Sequence, residues 1–391
     1  MTEIDIDDFS VVIPECCDYN NFENIKVLEA DELTYLEFFN KFMIKNVPCI
    51  VRNISQNWEC AQKWIKNGCL DYDYFKNTYG RLEAPVADCS NTTYNSHSKK
   101  TMTVNEYIEY LNENTGEKLL YLKDWHLRRI QPDDNFYKVP LIFASDWLNE
   151  FAQDHQEDDY MFVYIGAKDT WTPLHVDVYC SYSWSVNVLG KKKWILFPPG
   201  EEIKLHDKFG NLPLSFNQEM YSNVKYFEII QETGDAIFVP SGWHHQVVNL
   251  VDTISINHNW INGCNIQKVW EALQKNLASV ELEIAEFKTT EDFPVDCQII
   301  LKSLFGMDYT MFAMFINYIG KKRLNQLISR DTPGFSSYVL GIKHIKFDLT
   351  IILDIIEKIT NHPIFKNKNI ISIIIENELL TLRESILQLN L

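Results

Sequence analysis

Between Leu119 and Trp260 the chain is built from short apolar runs, at 160–166, 184–189, 193–197, 226–231, 236–239, 245–250 and 253–259, separated by Gly, Pro, Asn and Asp. Each run has the length of a strand and is too short for a core helix, and many such strands at close spacing predict an all-β sandwich or barrel. The polar stretch from Gly200 to Asn223, with Gly210 and Pro213, interrupts this pattern as a long loop of the kind that shapes a substrate entrance. Helical spacing flanks the β region on both sides. Asp31 precedes Leu33, Leu36, Phe39 and Phe42, with Pro48 beyond the expected end at Asn46. Thr103-Val-Asn-Glu106 is a capping-box pattern in front of Tyr107, Ile108 and Leu111. After Asn265 the period returns through Ile266, Val269, Trp270, Leu273, Leu277, Val280, Ile284 and Phe287, with later breaks at Pro294, Pro333-Gly334 and Pro363. Such a stripe ordinarily covers a core; dimerisation or substrate docking is the sharper reading. The expected organisation is a helical or mixed segment over 1–118, a mainly β catalytic core over 119–263 and a helical region over 264–391.

Within the β region, His175-Val-Asp177 places an imidazole and a carboxylate two residues apart, so in an extended chain both project to one side while Val176 turns away. A single His-x-Asp triplet carries little weight alone, and its bland reading is a solvated loop. Its company raises its weight: Thr172 before it, Lys192 after it, and a further imidazole at Pro240-Ser-Gly-Trp-His-His245. His244 and His245 point to opposite faces of a strand, so only one of them can join the pair. Two imidazoles and one carboxylate on one face of a metal are the donor set of non-haem ferrous oxygenases, because three protein ligands leave other positions open.

A net charge of −18 and a pI near 5.0 oppose binding to nucleic acid by counterion release and favour basic peptides as partners. The nine cysteines show no C-x-x-C spacing, and Cys16 and Cys17 are neighbours, so reduced thiols are expected in place of a zinc ribbon or a disulfide framework. The acidic start, Met-Thr-Glu-Ile-Asp-Ile-Asp-Asp, lacks a signal peptide's basic and apolar regions, and no window holds 18 uncharged apolar residues. No membrane association is expected, and the expected compartment is the cytoplasm or nucleus. Oligomeric state is not legible here, and there are no internal repeats or low-complexity tracts.

Several blocks resemble the JmjC family of Fe(II)- and 2-oxoglutarate-dependent oxygenases. They are Trp171-Thr-Pro-Leu-His-Val-Asp177, Ser183-Trp-Ser-Val-Asn-Val-Leu-Gly-Lys-Lys-Lys-Trp194, Ile195-Leu-Phe-Pro-Pro-Gly200, Gly234-Asp-Ala-Ile-Phe-Val-Pro-Ser-Gly-Trp-His-His-Gln-Val-Val-Asn249 and Thr253-Ile-Ser-Ile-Asn-His-Asn-Trp260. The resemblance spans about residues 30 to 263 and implies a double-stranded β-helix of the jelly-roll or cupin-like kind. It implies His175, Asp177 and His245 as iron ligands, His245 being favoured because the family ligand follows its Trp, here Trp243, by two. The cosubstrate 2-oxoglutarate would chelate iron through its C1 carboxylate and keto oxygen, with O2 taking the remaining position. Its distal carboxylate needs a cation if drawn out of water, and the resemblance points to Lys192, two residues before Trp194, aided by Thr172 and Tyr121. Asn187 and Asn259 are candidates for the C1 end of the cosubstrate or for orienting a ligand. Ser185 stands where the family often has Asn, and Asp124 is expected near the substrate channel.

Within the family the resemblance is strongest to the lysyl-hydroxylase branch, through Tyr121-Leu-Lys-Asp-Trp-His126 and the Ser181-Tyr-Ser-Trp-Ser block. It implies a protein hydroxylase acting at C4 of a lysine in the class 1 eukaryotic translation release factor and promoting translation termination. Two other readings stand beside it. One is an N-methyl-lysine demethylase, although the chain carries no Cys/His cluster for the zinc-binding reader modules common among histone demethylases. The other is a non-catalytic scaffold, which has no reason to keep all four of His175, Asp177, His245 and Lys192.

Overall fold

A computed structural model of the chain describes residues 2–7, 19, 22–93, 96–113, 116, 118–329 and 335–389. Strands β1 (Lys26–Glu29), β2 (Cys49–Arg52), β3 (Glu83–Thr93), β4 (Ser96–Thr103) and β5 (Leu120–Trp125) come first. They are followed by β6 (Met161–Gly166), β7 (Trp171–His175), β8 (Tyr182–Leu189), β9 (Lys192–Phe197), β10 (Phe227–Gln231), β11 (Ala236–Val239), β12 (His244–Asn249) and β13 (Thr253–Trp260). The order β1-β2-β11-β8-β13-β6-β5-β3-β4 makes the large sheet, and β7-β12-β9-β10 makes the sheet facing it. Of the eight strands from β6 to β13, β6, β8, β11 and β13 lie in the large sheet and β7, β9, β10 and β12 in the sheet facing it, the four-on-four arrangement of a double-stranded β-helix.

Sequence periodicity places no strand between 83 and 103, yet β3 and β4 form a long hairpin that extends the large sheet past β5. The reason is visible in β4, Ser-His-Ser-Lys-Lys-Thr-Met-Thr, whose side chains are mostly exposed on an edge strand, so it lacks the apolar alternation that marks a half-buried one. On the opposite flank β1 and β2 continue the sheet beyond β11. The large sheet therefore draws strands from both sides of residue 118.

The outward face of the large sheet buries Trp184, Val186, Ile254, Ile256 and Trp260. Phe143 stacks on Trp184 at 5.2 Å between centroids, and Phe38 meets Phe238 at 5.1 Å. Phe38 ends a helical turn, Tyr35–Phe38, capped by Thr34, whose hydroxyl accepts from the Glu37 N–H. The cap is thus Thr34, three residues before Glu37, at the reach of an N-cap side chain.

Eight longer helices surround the sheets: α1 (Tyr72–Tyr79), α2 (Val104–Glu113), α3 (Trp147–His155), α4 (Ile266–Glu283), α5 (Phe293–Phe305), α6 (Tyr309–Ile328), α7 (Ile342–Asn361) and α8 (Ile373–Leu387) among the described residues. The capping box at α2 forms reciprocally: Thr103 Oγ1 accepts from Glu106 N at 3.2 Å and Glu106 Oε2 accepts from Thr103 N at 2.8 Å. In α4 the apolar stripe from Ile266 to Val280 is buried, whereas Phe287, beyond the helix end, is exposed. Pro294 sits in the first turn of α5, where its missing N–H costs nothing, so it starts a helix and does not break one. Pro363 follows the end of α7, and Pro333-Gly334 lies outside the described residues.

The C-terminal helices are fastened to the core by a buried ionic knot. Arg323 of α6 donates to both carboxylate oxygens of Glu150 in α3, at 3.1 and 2.8 Å, and through Nε to Asp348 of α7 at 2.7 Å. Trp147 Nε1 donates to the same Asp348 oxygen at 3.0 Å. Cys49, Cys60, Cys69, Cys89, Cys180, Cys264 and Cys297 are free thiols; Cys16 and Cys17 lie outside the described residues. No single helix among the described residues is long and apolar enough to cross a membrane.

Candidate metal centre

Strands β7 and β12 are antiparallel neighbours, and His175 stands directly opposite His245, their rings 4.3 Å apart. Asp177 lies two residues past the end of β7, outside any ladder. Its backbone is still extended (φ −63°, ψ 150°), which keeps its side chain on the His175 side. One ligand atom from each of His175, Asp177 and His245 falls within 4.8 Å of the other two. His244 points to the opposite face, with Nδ1 3.9 Å from Glu202.

The three side chains are held in metal-binding form. His175 Nδ1 lies 2.8 Å from the Pro173 carbonyl, and His245 Nδ1 lies 3.0 Å from the Trp243 carbonyl. A carbonyl can only accept, so each ring carries its proton on Nδ1 and leaves the Nε2 lone pair free. Ser183 Oγ donates to Asp177 Oδ2 at 2.6 Å, which fixes the carboxylate. Burial, then the neighbouring His245, push the His175 pKa down to about 3, so the ring stays neutral at ordinary pH. Two imidazoles with their Nε2 atoms turned inward and one carboxylate, converging with a cavity on one side, fit a ferrous ion.

A bulge explains how Thr172 and His175 share a wall of that cavity. In a regular strand residues three apart face opposite ways. Here Thr172 pairs with Val247 and His175 with His245, so three steps on β7 span two on β12. Pro173 sits in the bulge, where no ladder N–H is needed, and the Leu174 N–H bonds instead to the Leu214 carbonyl of the long loop.

The cavity, about 520 Å³, runs from His175, Asp177 and His245 between the two sheets. Thr172, Lys192, Tyr121 and Asn259 line it, as do Asp124 and Ser185. Lys192 is buried; its ammonium donates to Ser255 Oγ at 2.6 Å and to the Tyr121 hydroxyl at 3.5 Å. Burial, then Lys123, push its pKa down to about 7. Asn259 donates to Ser181 Oγ at 3.2 Å, and Ser185 Oγ is buried without a hydrogen-bond partner among the described residues. Asp124 occupies a bulge between Leu122 and Trp125 with φ 59°, left-handed backbone that re-aims its carboxylate to Tyr164 (2.6 Å) and Lys99 (2.7 Å).

Asn187 is not brought to this cavity. It lies one pleat beyond Ser185, fully buried, and its amide donates to the Gln231 carbonyl at 3.1 Å, plugging the far end of the barrel. Sequence reading missed Ser183, Asn257, Tyr164 and Lys123, all on the cavity wall. Ser183 and Ser185 pair with Asn259 and Asn257 across β8 and β13, so period-2 alternation of polar residues on two strands was the available signal. Lys123 follows Tyr121 by two on β5, the same spacing that puts both on one face.

Comparison with known proteins gives the same picture from a different direction. The family model of a cupin-like domain matches residues 35–265. The chain is 42% identical over 362 residues to the 2-oxoglutarate and iron-dependent oxygenase JMJD4 of Danio rerio, an alignment covering 86% of each chain. It is 40% identical over 359 residues to the Homo sapiens protein of that name, covering 87% of this chain and 86% of that one. It is also 35% identical over 364 residues to the Arginine-specific demethylase JMJ20 of Arabidopsis thaliana, covering 85% of this chain and 79% of that one.

Proposed function

This chain belongs to the cupin-like JmjC family and is a 2-oxoglutarate- and iron-dependent oxygenase; on that footing we propose that it is a protein hydroxylase acting at C4 of a lysine in the class 1 eukaryotic translation release factor, so promoting translation termination. The observation that carries the chemistry is the convergence of His175, Asp177 and His245 at one end of a cavity whose wall holds the buried Lys192. The choice of substrate is supported by the Tyr121–His126 and Ser181–Ser185 blocks and by the similarity to the JMJD4 proteins. A chain of net charge −18 also favours a basic partner segment. The compartment that goes with this reading is the cytoplasm, with the nucleus as the alternative.

In this reading His175 and His245 offer Nε2 and Asp177 a carboxylate oxygen to iron. When bound, iron with 2-oxoglutarate and O2 would supply oxidative decarboxylation of the cosubstrate to succinate and CO2, which takes one oxygen atom of O2, and transfer of the other to a C–H bond. The protein's own residues do the rest. Lys192, Thr172 and Tyr121 hold the distal carboxylate, since a buried anion needs charged and hydroxyl donors. Asn259, Asn257 and Ser185 offer polar groups on the cavity wall of β8 and β13, Ser185 with its hydroxyl still unpartnered. Ser183 orients Asp177. Phe162, Tyr160 and Val178 give the cavity wall apolar surface beside the reacting C–H.

The test is mass spectrometry of the release factor after incubation with the full chain, ferrous iron and 2-oxoglutarate. A gain of one oxygen on a lysine, with matching succinate, is expected. Succinate formation with an unmodified release factor overturns this substrate. A second reading, N-methyl demethylation, is favoured by the similarity to the Arginine-specific demethylase JMJ20. It predicts loss of a methylene from a methylated lysine or arginine peptide, with formaldehyde released.

A further inference from the structure

Two ammonium groups, not one, are buried on the cavity wall away from the metal ligands. Lys192 is 2% exposed and Lys123 9%. They flank one aromatic ring: Lys123 Nζ lies 5.6 Å from the Tyr164 centroid and Lys192 Nζ lies 5.9 Å from it. Lys192 donates to Ser255 and Tyr121, and Lys123 donates to Thr172 Oγ1 at 3.3 Å. Neither has a carboxylate at ion-pair distance among the described residues. Asp124, next to Lys123 in sequence, is already bonded by Lys99 and Tyr164. A buried ammonium with only hydroxyl partners carries a desolvation cost that an entering anion would offset.

We propose that Lys123 is a specificity-determining residue for the cosubstrate: with Lys192 it takes the distal carboxylate of the 2-oxoacid, so that the cavity selects dicarboxylic over monocarboxylic 2-oxoacids. This rests on the cavity being the 2-oxoglutarate site. The donor arrangement is suited to one carboxylate. Thr172 accepts from Lys123, which leaves its own O–H to donate, and Tyr121 accepts from Lys192 in the same way. A carboxylate has about four lone-pair sites, and Lys123, Thr172, Tyr121 and Lys192 are four donors around one region. Polarised chains of this kind strengthen each member's bond to the anion.

The experiment is calorimetric titration of the full chain loaded with Mn(II), under anaerobic conditions, with 2-oxoglutarate and separately with 2-oxobutyrate, which lacks the distal carboxylate. Wild type, Lys123→Gln and Lys123→Met are compared, Met keeping the apolar stem so that packing survives. Both variants are expected to weaken 2-oxoglutarate roughly tenfold or more, while 2-oxobutyrate changes by less than about twofold. Equal weakening of both ligands would assign Lys123 a structural role and overturn the proposal. So would unchanged 2-oxoglutarate affinity in a folded variant. Failure of the wild type to bind 2-oxoglutarate would instead remove the cavity reading on which the proposal stands.

Discussion

His175 and His245 face each other across neighbouring strands, and each ring is oriented by the same device: its Nδ1–H donates to the carbonyl of the residue two positions earlier, Pro173 and Trp243. Each interaction is local, so any fold that brings the two strands together presents both Nε2 atoms ready. Asp177 has no such backbone restraint and depends on Ser183.

Asp177→Ala should abolish iron retention and succinate formation while leaving the circular dichroism spectrum unchanged. Ser183→Ala should keep the ligand but lose its orientation, lowering iron affinity about 10- to 100-fold. Metal content after gel filtration, with succinate assayed in parallel, checks both. Full activity of Asp177→Ala would remove the site assignment.

The pH dependence of cosubstrate binding follows from Lys192, whose pKa is pushed down to about 7 by burial and by Lys123. Below that pH the ammonium is intact; above it the proton is lost and the anion loses its partner. Affinity for 2-oxoglutarate should be nearly flat below pH 7 and fall as pH rises beyond it, by at most about tenfold per unit. Lys192→Ala should raise the 2-oxoglutarate requirement and flatten the slope, as read by titration of the Mn(II)-loaded chain from pH 6 to 9. A wild-type affinity that rises with pH contradicts the assignment.

Gly166 ends β6 beside the cosubstrate wall, and a Cβ there would stand 2.4 Å from Asn249 Nδ2, 2.5 Å from Thr170 Oγ1 and 2.8 Å from the Tyr121 ring. Gly166→Ala must therefore displace Tyr121, with a destabilisation of about 1–3 kcal/mol. The expected signature is a raised KM for 2-oxoglutarate with iron content unchanged. Steady-state kinetics across cosubstrate concentration separates this from a general loss of fold.

Arg323 is 1% exposed and joins α6 to Glu150 and Asp348, so removing it strips both buried carboxylates of their guanidinium, leaving Glu150 with Lys322 at 2.9 Å and Asp348 with the Trp147 indole at 3.0 Å and His344 at 3.4 Å. Arg323→Leu should cost about 3–5 kcal/mol. Urea denaturation followed by tryptophan fluorescence measures it. A loss below about 1 kcal/mol would mean that Lys322, Trp147 and His344 suffice to hold the two carboxylates.

Local pattern was enough for much of this molecule. The strands from 160 to 260, the capping box at Thr103 and the buried stripe of α4 are each dictated by neighbours in sequence, through alternation, a side chain reaching its own helix end, or the helical period. The chemistry of His175, Asp177 and Lys192 was legible because few other residue types serve those roles.

Tertiary structure decided what no local period encodes. The β3–β4 hairpin joins the sheet through backbone pairing at an exposed edge, which asks little of its side chains. The bulge at Pro173 turns Thr172 and His175 to one wall, and the extra pleat at Asn187 takes it out of the cavity to the Gln231 carbonyl. Lys123 gains meaning only when β5 lies beside β6 and sets a second ammonium against the Tyr164 ring. Residue type states what a side chain is able to do; strand register and bulges decide which partners it meets, because they depend on hydrogen bonds between segments far apart in the chain.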